Sequence, residues 1–107
     1  MPYQHISAEE LNSIISAGLP ADSTLIDVRT PAECSRGMIS GAKNIPIDQI
    51  LGQKESLSKF KKVYLYCLSG SRSDLVAETF SAQSFPGELY SLTSGLLAWR
   101  KKGYELK

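Results

Sequence analysis

Apolar and polar residues are spaced along this chain with two different periods, and stretches of one period alternate with stretches of the other. At Ser7-Ala8-Glu9-Glu10 the Ser7 hydroxyl can accept from the Glu10 amide while the Glu10 side chain reaches back, a helix-opening box. Ala8, Leu11, Ile14 and Ile15 then recur on one helical face until Gly18-Leu19-Pro20 stops the run. Residues 24–29, Thr-Leu-Ile-Asp-Val-Arg, are short and mostly apolar or β-branched, as in a strand buried on both faces. Thr30, Pro31 and Glu33 supply an N-cap, a first-turn proline and a second box, so a short helix follows. Gly37 and Gly41 bracket a turn-rich stretch. A brief strand is expected over 42–46, a short helix over 47–51 and a polar connector over 52–58.

The clearest strand is 62–67, Lys-Val-Tyr-Leu-Tyr-Cys, aromatic and β-branched. A Gly-containing loop follows, then a helix with Leu75, Val76, Thr79 and Phe80 expected inward. Residues 88–92 predict a further strand, and Ser94-Gly95 opens a last helix through Leu96, Leu97, Trp99 and Arg100 that closes at Gly103. Strands alternating with helices imply an α/β fold whose mainly parallel sheet is covered on both faces. The site of such a sheet lies beyond the carboxyl ends of its strands.

Composition narrows the function classes. The 107 residues carry 12 Lys+Arg against 11 Asp+Glu, a net charge of +1, so no basic field for nucleic acid is present. At ~100–200 residues per domain, 1–107 reads as a single domain. No apolar run approaches the ~18 residues that a membrane span needs. Met1–His5 lacks the charged and apolar regions of a secretion signal. The two cysteines lack metal-ligand spacing, so no metal or cofactor is expected and a reducing, cytoplasmic setting is.

One segment carries chemistry. Cys67 ends a strand where Leu68, Ser69, Gly70 and Ser71 turn into a helix, followed by Arg72 and Ser73. Successive backbone amides at a helix N-terminus stabilise anions, so a thiolate is favoured there. Gly70 lets the backbone curl around the sulfur, and Arg72 adds a fixed positive charge. A cysteine at a strand end can equally be a small packing residue. Packing alone, however, requires no Gly-rich loop, cation and helix start immediately after it. His5, the single histidine, reads as a surface or edge-strand residue, which disfavours a protease-like Cys-His pair.

Leu25–Arg29, then Glu33, then Gly37–Pro46 resembles the N-terminal signature of rhodanese domains. Cys67–Ser73 is similar to the family's active-site loop, and Ser91–Trp99 with Gly103 to its C-terminal signature. The resemblance implies a three-layer fold with a five-stranded, mainly parallel sheet and a thiosulfate sulfurtransferase activity. Cys67 would carry sulfur as a persulfide. The amides of Leu68, Ser69, Gly70, Ser71 and Arg72 would cradle it, and Arg72 would favour an anionic donor. Arg29 matches an arginine that helps to hold donor in some members; an ion pair with Asp27 or Glu33 is the alternative. Met38 stands where the family usually has His, and Cys34 where it usually has an aromatic residue. Cys34 is either a small filler or a thiol that resolves an oxidised Cys67. Trp99 reads as core.

The expected partners are thiosulfate or another sulfane-sulfur donor and a thiol acceptor such as glutathione or thioredoxin, with cyanide serving in the test tube. A sulfur-relay or recognition module taking sulfur from a partner protein is the second reading. A phosphatase or arsenate-reductase-type anion enzyme is the third. Between Cys67 and Arg72 lie four residues, whereas phosphatases that resemble this fold use five, which widens the amide ring to surround phosphate. The shorter loop favours a single sulfur.

Overall fold

The computed structural model describes residues 3–107. Five strands, β1 (Gln4–Ile6), β2 (Ser23–Asp27), β3 (Lys43–Asn44), β4 (Lys62–Tyr66) and β5 (Glu88–Leu92), form one sheet in the order β1-β5-β4-β2-β3. Every neighbouring pair is parallel. Six helices connect them: α1 (Ala8–Ser16), α2 (Pro31–Cys34), α3 (Ile47–Ile50), α4 (Lys54–Leu57), α5 (Ser71–Ala82) and α6 (Gly95–Lys101). None of the described helices is long and apolar enough to cross a membrane.

Local chemistry sets most of the boundaries. Both boxes form: Ser7 caps α1 with Glu10 reaching back, and Thr30 caps α2 with Glu33 reaching back. Pro31 occupies the first turn of α2, where its missing N–H costs nothing. The central strands have no solvent face. In β4, Val63 and Leu65 pack with Val76 and Phe80 of α5, while Tyr64 and Tyr66 pack on the other side with Leu11 of α1 and with Leu96 and Trp99 of α6. Trp99 is core, its indole Nε1–H donating to the Glu105 carbonyl at 3.0 Å.

The structure departs from the pattern in three places. Residues 54–57 form a helical turn rather than pure connector, because Leu57 is apolar and buries itself among otherwise polar neighbours. The expected strand over 42–46 shrinks to Lys43–Asn44, since Pro46 has no N–H for a ladder. The Ile45 and Ile47 amides nonetheless follow the end of β2, donating to the Asp27 and Val28 carbonyls at 3.0 Å each. On α5 the inward residues are Ser73, Val76, Ala77 and Phe80, and Leu75 is exposed. Its place one step before Val76 lies outside that i, i+3, i+4, i+7 stripe. Gln4–Ile6 pairs in parallel with Tyr90–Leu92, so His5 lies on an edge strand, in agreement with its surface or edge-strand reading.

One buried bond ties the 37–42 turn to the centre of the sheet. The Ile39 amide donates to the Tyr66 hydroxyl at 3.0 Å, both residues being fully enclosed. Burial pushes the Tyr66 pKa upward, with the Asp27 charge adding to the shift, so the phenol stays neutral. Tyr66→Phe removes the acceptor and leaves a buried N–H unpaired, a loss of about 1–3 kcal/mol. Urea unfolding should show a lower midpoint with unchanged slope; an unchanged midpoint would mean that the Ile39 amide finds another acceptor.

Candidate active site

Cys67 follows β4 directly, and its side chain joins the core layer between the sheet and α5 with no exposed surface. Beyond it the chain must turn at once to start α5. Gly70 makes that turn with φ +107°, a region that side-chain-bearing residues rarely adopt. The turn aims the Gly70 N–H at the sulfur, which it meets at 3.1 Å. The amides of Ser71 and Arg72, in the first turn of α5, have no intrahelical acceptor because no residue lies four positions earlier in the helix. The side chains of Ser69 and Ser71 are exposed, so these residues serve the loop through the main chain.

Two buried hydroxyls stand behind the sulfur. Ser73 Oγ lies 3.7 Å from Cys67 Sγ, donates to the Gly70 carbonyl at 3.1 Å and is 2.8 Å from Ser91 Oγ of β5. Neither serine was singled out by the sequence reading. Their signal was a polar residue on an otherwise apolar inward stripe, Ser73 with Val76, Ala77 and Phe80 and Ser91 between Tyr90 and Leu92. From the opposite side α6 grips the loop. Leu96 N–H donates to the Cys67 carbonyl at 2.9 Å, and Leu97 N–H to the Leu68 carbonyl at 3.1 Å. A Cβ on Gly95, whose φ is +56°, would lie 2.5 Å from the first oxygen and 2.6 Å from the second.

The arginines occupy different electrostatic settings. Arg29 is almost wholly buried, its Nε and Nη2 bonding the Asp27 carboxylate at 2.7–3.0 Å and Nη2 also reaching the Gly37 carbonyl at 2.8 Å. The ion pair is formed, with Asp27 as its partner, and Arg29 also lines a cleft that includes Leu68. Burial alone would lower the Arg29 pKa; the Asp27 hydrogen bonds and charge outweigh it and raise it. Arg72, at the start of α5, reaches across to α2 and binds Glu33 with both nitrogens, at 2.8 and 2.9 Å. That contact holds the Glu33 carboxyl down at about 2 and raises the Arg72 pKa, to which the Cys67 sulfur also adds.

Cys34 lies beside the buried pair. Burial, then the Asp27 charge and a hydrogen bond to Asp27, push its thiol up to about 11. It is therefore a poor source of thiolate near neutral pH. A cleft of about 300 Å³ opens over the loop, lined by Arg29, Ala32, Glu33, Arg36, Leu68 and Arg100. A larger one of about 440 Å³ lies at the amino ends of the strands, between Asp22, Lys61 and Glu88. It lies at the opposite end of the sheet from Cys67, whereas the smaller cleft includes Leu68 of the cysteine loop.

Residues 7–102 match the Rhodanese-like domain model. The Bacillus subtilis protein YqhL is 41% identical over 78 residues, which are 73% of this chain and 61% of that protein, so the chain spans less than two thirds of this relative. A sulfurtransferase of Allochromatium vinosum is 35% identical over 82 residues, 77% of this chain and 76% of that one. Among solved structures, a rhodanese-related protein of Thermoplasma volcanium superposes with a TM-score of 0.83 at 30% identity, covering 98% of each chain. The parallel sheet, the amide-lined cysteine loop after its fourth strand and these matches agree: the chain belongs to the rhodanese-like domain family.

Proposed function

We propose that this chain is a sulfurtransferase that carries sulfane sulfur on Cys67. The supporting observation is the Gly70 amide directed onto Cys67 Sγ at 3.1 Å, followed in the chain by the Ser71 and Arg72 amides, which have no intrahelical acceptor. Together they form an electropositive nest matched to one anionic sulfur. The Cys67 thiolate attacks the outer sulfur of thiosulfate, the S–S bond of the donor breaks, and sulfite departs with the electron pair. An acceptor thiolate then attacks the outer sulfur of Cys67–S–S⁻, leaves as its own persulfide and restores the Cys67 thiolate. Sulfur changes hands with no net oxidation, in a ping-pong sequence. No general acid is needed, because sulfite and thiolate leave as stable anions.

A sulfur-relay role is the second reading, favoured by one observation. Arg72 is the loop's only cation, and both of its bonding nitrogens engage Glu33. A dianionic donor therefore meets a neutralised pair rather than a free guanidinium, and a persulfide from a partner depends less on that charge. A half-saturation point for thiosulfate in the tens of millimolar, well above the usual ~1 mM ceiling, marks the relay.

Thiosulfate should add one sulfur to the intact mass of the protein, and Cys67→Ser should abolish the addition while leaving the melting temperature nearly unchanged. Persistence of the added sulfur in Cys67→Ser would remove Cys67 as the carrier. Aryl phosphate should not be hydrolysed; turnover that disappears in Cys67→Ser would replace sulfur transfer with phosphatase chemistry.

Glu33→Gln should raise the rate at low thiosulfate, by about three- to tenfold, because it frees Arg72 for the donor and removes a repelling charge. A lower rate would mean that Glu33 holds Arg72 in its working position. The same variant has a pH signature. A carboxyl whose pKa falls on folding stabilises the protein above its unfolded value, about 4.3, and loses that contribution as pH falls toward the folded value. Glu33 titrates at about 2 in the folded chain. Wild type should exceed Glu33→Gln by up to about 1 kcal/mol at neutral pH, as for a partly exposed pair. The gap should narrow between about pH 5 and pH 2, and a gap independent of pH would exclude the ion pair as its source.

A further inference from the structure

The 300 Å³ cleft over the cysteine loop is far larger than thiosulfate needs, and its charges are unevenly matched. Of the four charged side chains at its wall, two are neutralised. Arg29 is bound to Asp27, and Glu33 to Arg72. The other two, Arg36 just after α2 and Arg100 in the last turn of α6, have no carboxylate or carbonyl partner for their guanidinium groups among the described residues. They share one cavity with Leu68, the residue next to Cys67. The chain as a whole is nearly neutral, so this pairing is a local feature rather than part of a basic surface. Ala32 and Leu68 add apolar surface to the same cavity wall.

We infer that Arg36 and Arg100 form a subsite for the carboxylates of a low-molecular-weight thiol or persulfide, seated so that its sulfur faces the Cys67 loop. The inference rests on the sulfurtransferase reading and assigns its second substrate. Guanidinium groups bind carboxylates through paired N–H donors, so two of them select a molecule with at least two carboxylates. A volume near 300 Å³ is the lower end of small-molecule pockets and suits a compact peptide-sized thiol. The covalent step is the acceptor half-reaction already written: the acceptor thiolate attacks the outer sulfur of Cys67–S–S⁻ and departs as a persulfide. Arg36 and Arg100 touch only the carboxylates, and are specificity-determining residues.

Two measurements on the full chain test this, with glutathione as the dicarboxylate thiol. S-Methylglutathione, which cannot accept sulfur, is titrated into sulfur-free protein and followed by amide NMR. Wild type should bind saturably, with shifts at Ala32 and Leu68, and the double variant Arg36→Gln/Arg100→Gln should bind about tenfold more weakly or not at all. Protein preloaded with one sulfur is then mixed with glutathione or with uncharged dithiothreitol. The ratio of the two second-order rate constants should fall about tenfold in the double variant, and Arg36→Lys/Arg100→Lys should recover part of it. Equal binding and an equal ratio in wild type and the double variant overturn the subsite. Loss of transfer to thioredoxin in a variant that still binds S-methylglutathione also overturns it, in favour of a protein-docking surface. If no sulfur ever loads on Cys67 yet S-methylglutathione binding needs both arginines, the sulfurtransferase reading fails while the carboxylate subsite stands.

Discussion

Two backbone hydrogen bonds from the first turn of α6 organise the candidate site. The amides of Leu96 and Leu97 take the carbonyls of Cys67 and Leu68, and no other described contact pins the start of the loop in this way. They form because Gly95 has no Cβ. With one, the atom would lie about 2.5 Å from those same oxygens, well inside contact distance. With the carbonyls held on one side, the chain turns through Gly70 on the other, and the Gly70 amide faces the sulfur. A helix distant in sequence therefore sets the orientation of the loop amides that face Cys67. Donor groups fixed before the charge develops need no reorganisation when it does.

Around that loop, charge is organised as two arginine–carboxylate pairs with different burial. Asp27 and Arg29 are enclosed, and their mutual bonds, together with the Gly37 carbonyl, satisfy groups that would be costly to bury alone. That pair closes the end of β2 and sets the surroundings of Cys34. Glu33 and Arg72 are partly exposed and join α2 to α5 across the loop. The buried pair supports the fold beneath the candidate site, whereas the partly exposed pair borders the cleft beside Leu68. Arg29 and Arg72, far apart in the sequence, thus have distinct physical roles.

Family membership accounts for the scaffold, and the departures from the usual pattern are absorbed locally. Met38, in the place of a histidine, keeps its main chain paired with Lys107, its N–H donating at 3.1 Å and its carbonyl accepting at 2.7 Å. The position therefore has a backbone role that does not depend on the side chain. Cys34, in the place of an aromatic residue, packs beside Asp27 with its proton retained. Both substitutions leave the Cys67 loop and its α6 clamp in place.

Much of this was legible in the sequence, because the signals were local. Capping boxes at Ser7 and Thr30 act over three residues, the β4 pattern needs only its own side chains, and the Cys67 loop is contiguous. The α4 turn and the inward face of α5 were misread because burial depends on what packs against a segment, and Leu57 and Leu75 meet opposite fates in similar polar surroundings. Partner choice was decided only in three dimensions. Nothing near Arg72 in sequence indicates Glu33, 39 residues away, and nothing near Cys67 indicates Ser91 or Gly95. Local sequence determined where Cys67 and the amides that follow it stand. The pairing of β5 beside β4 and the packing of α6 and α2 against the loop decided which hydroxyls, carbonyls and charges surround them, since parallel strands bring together segments that are far apart along the chain.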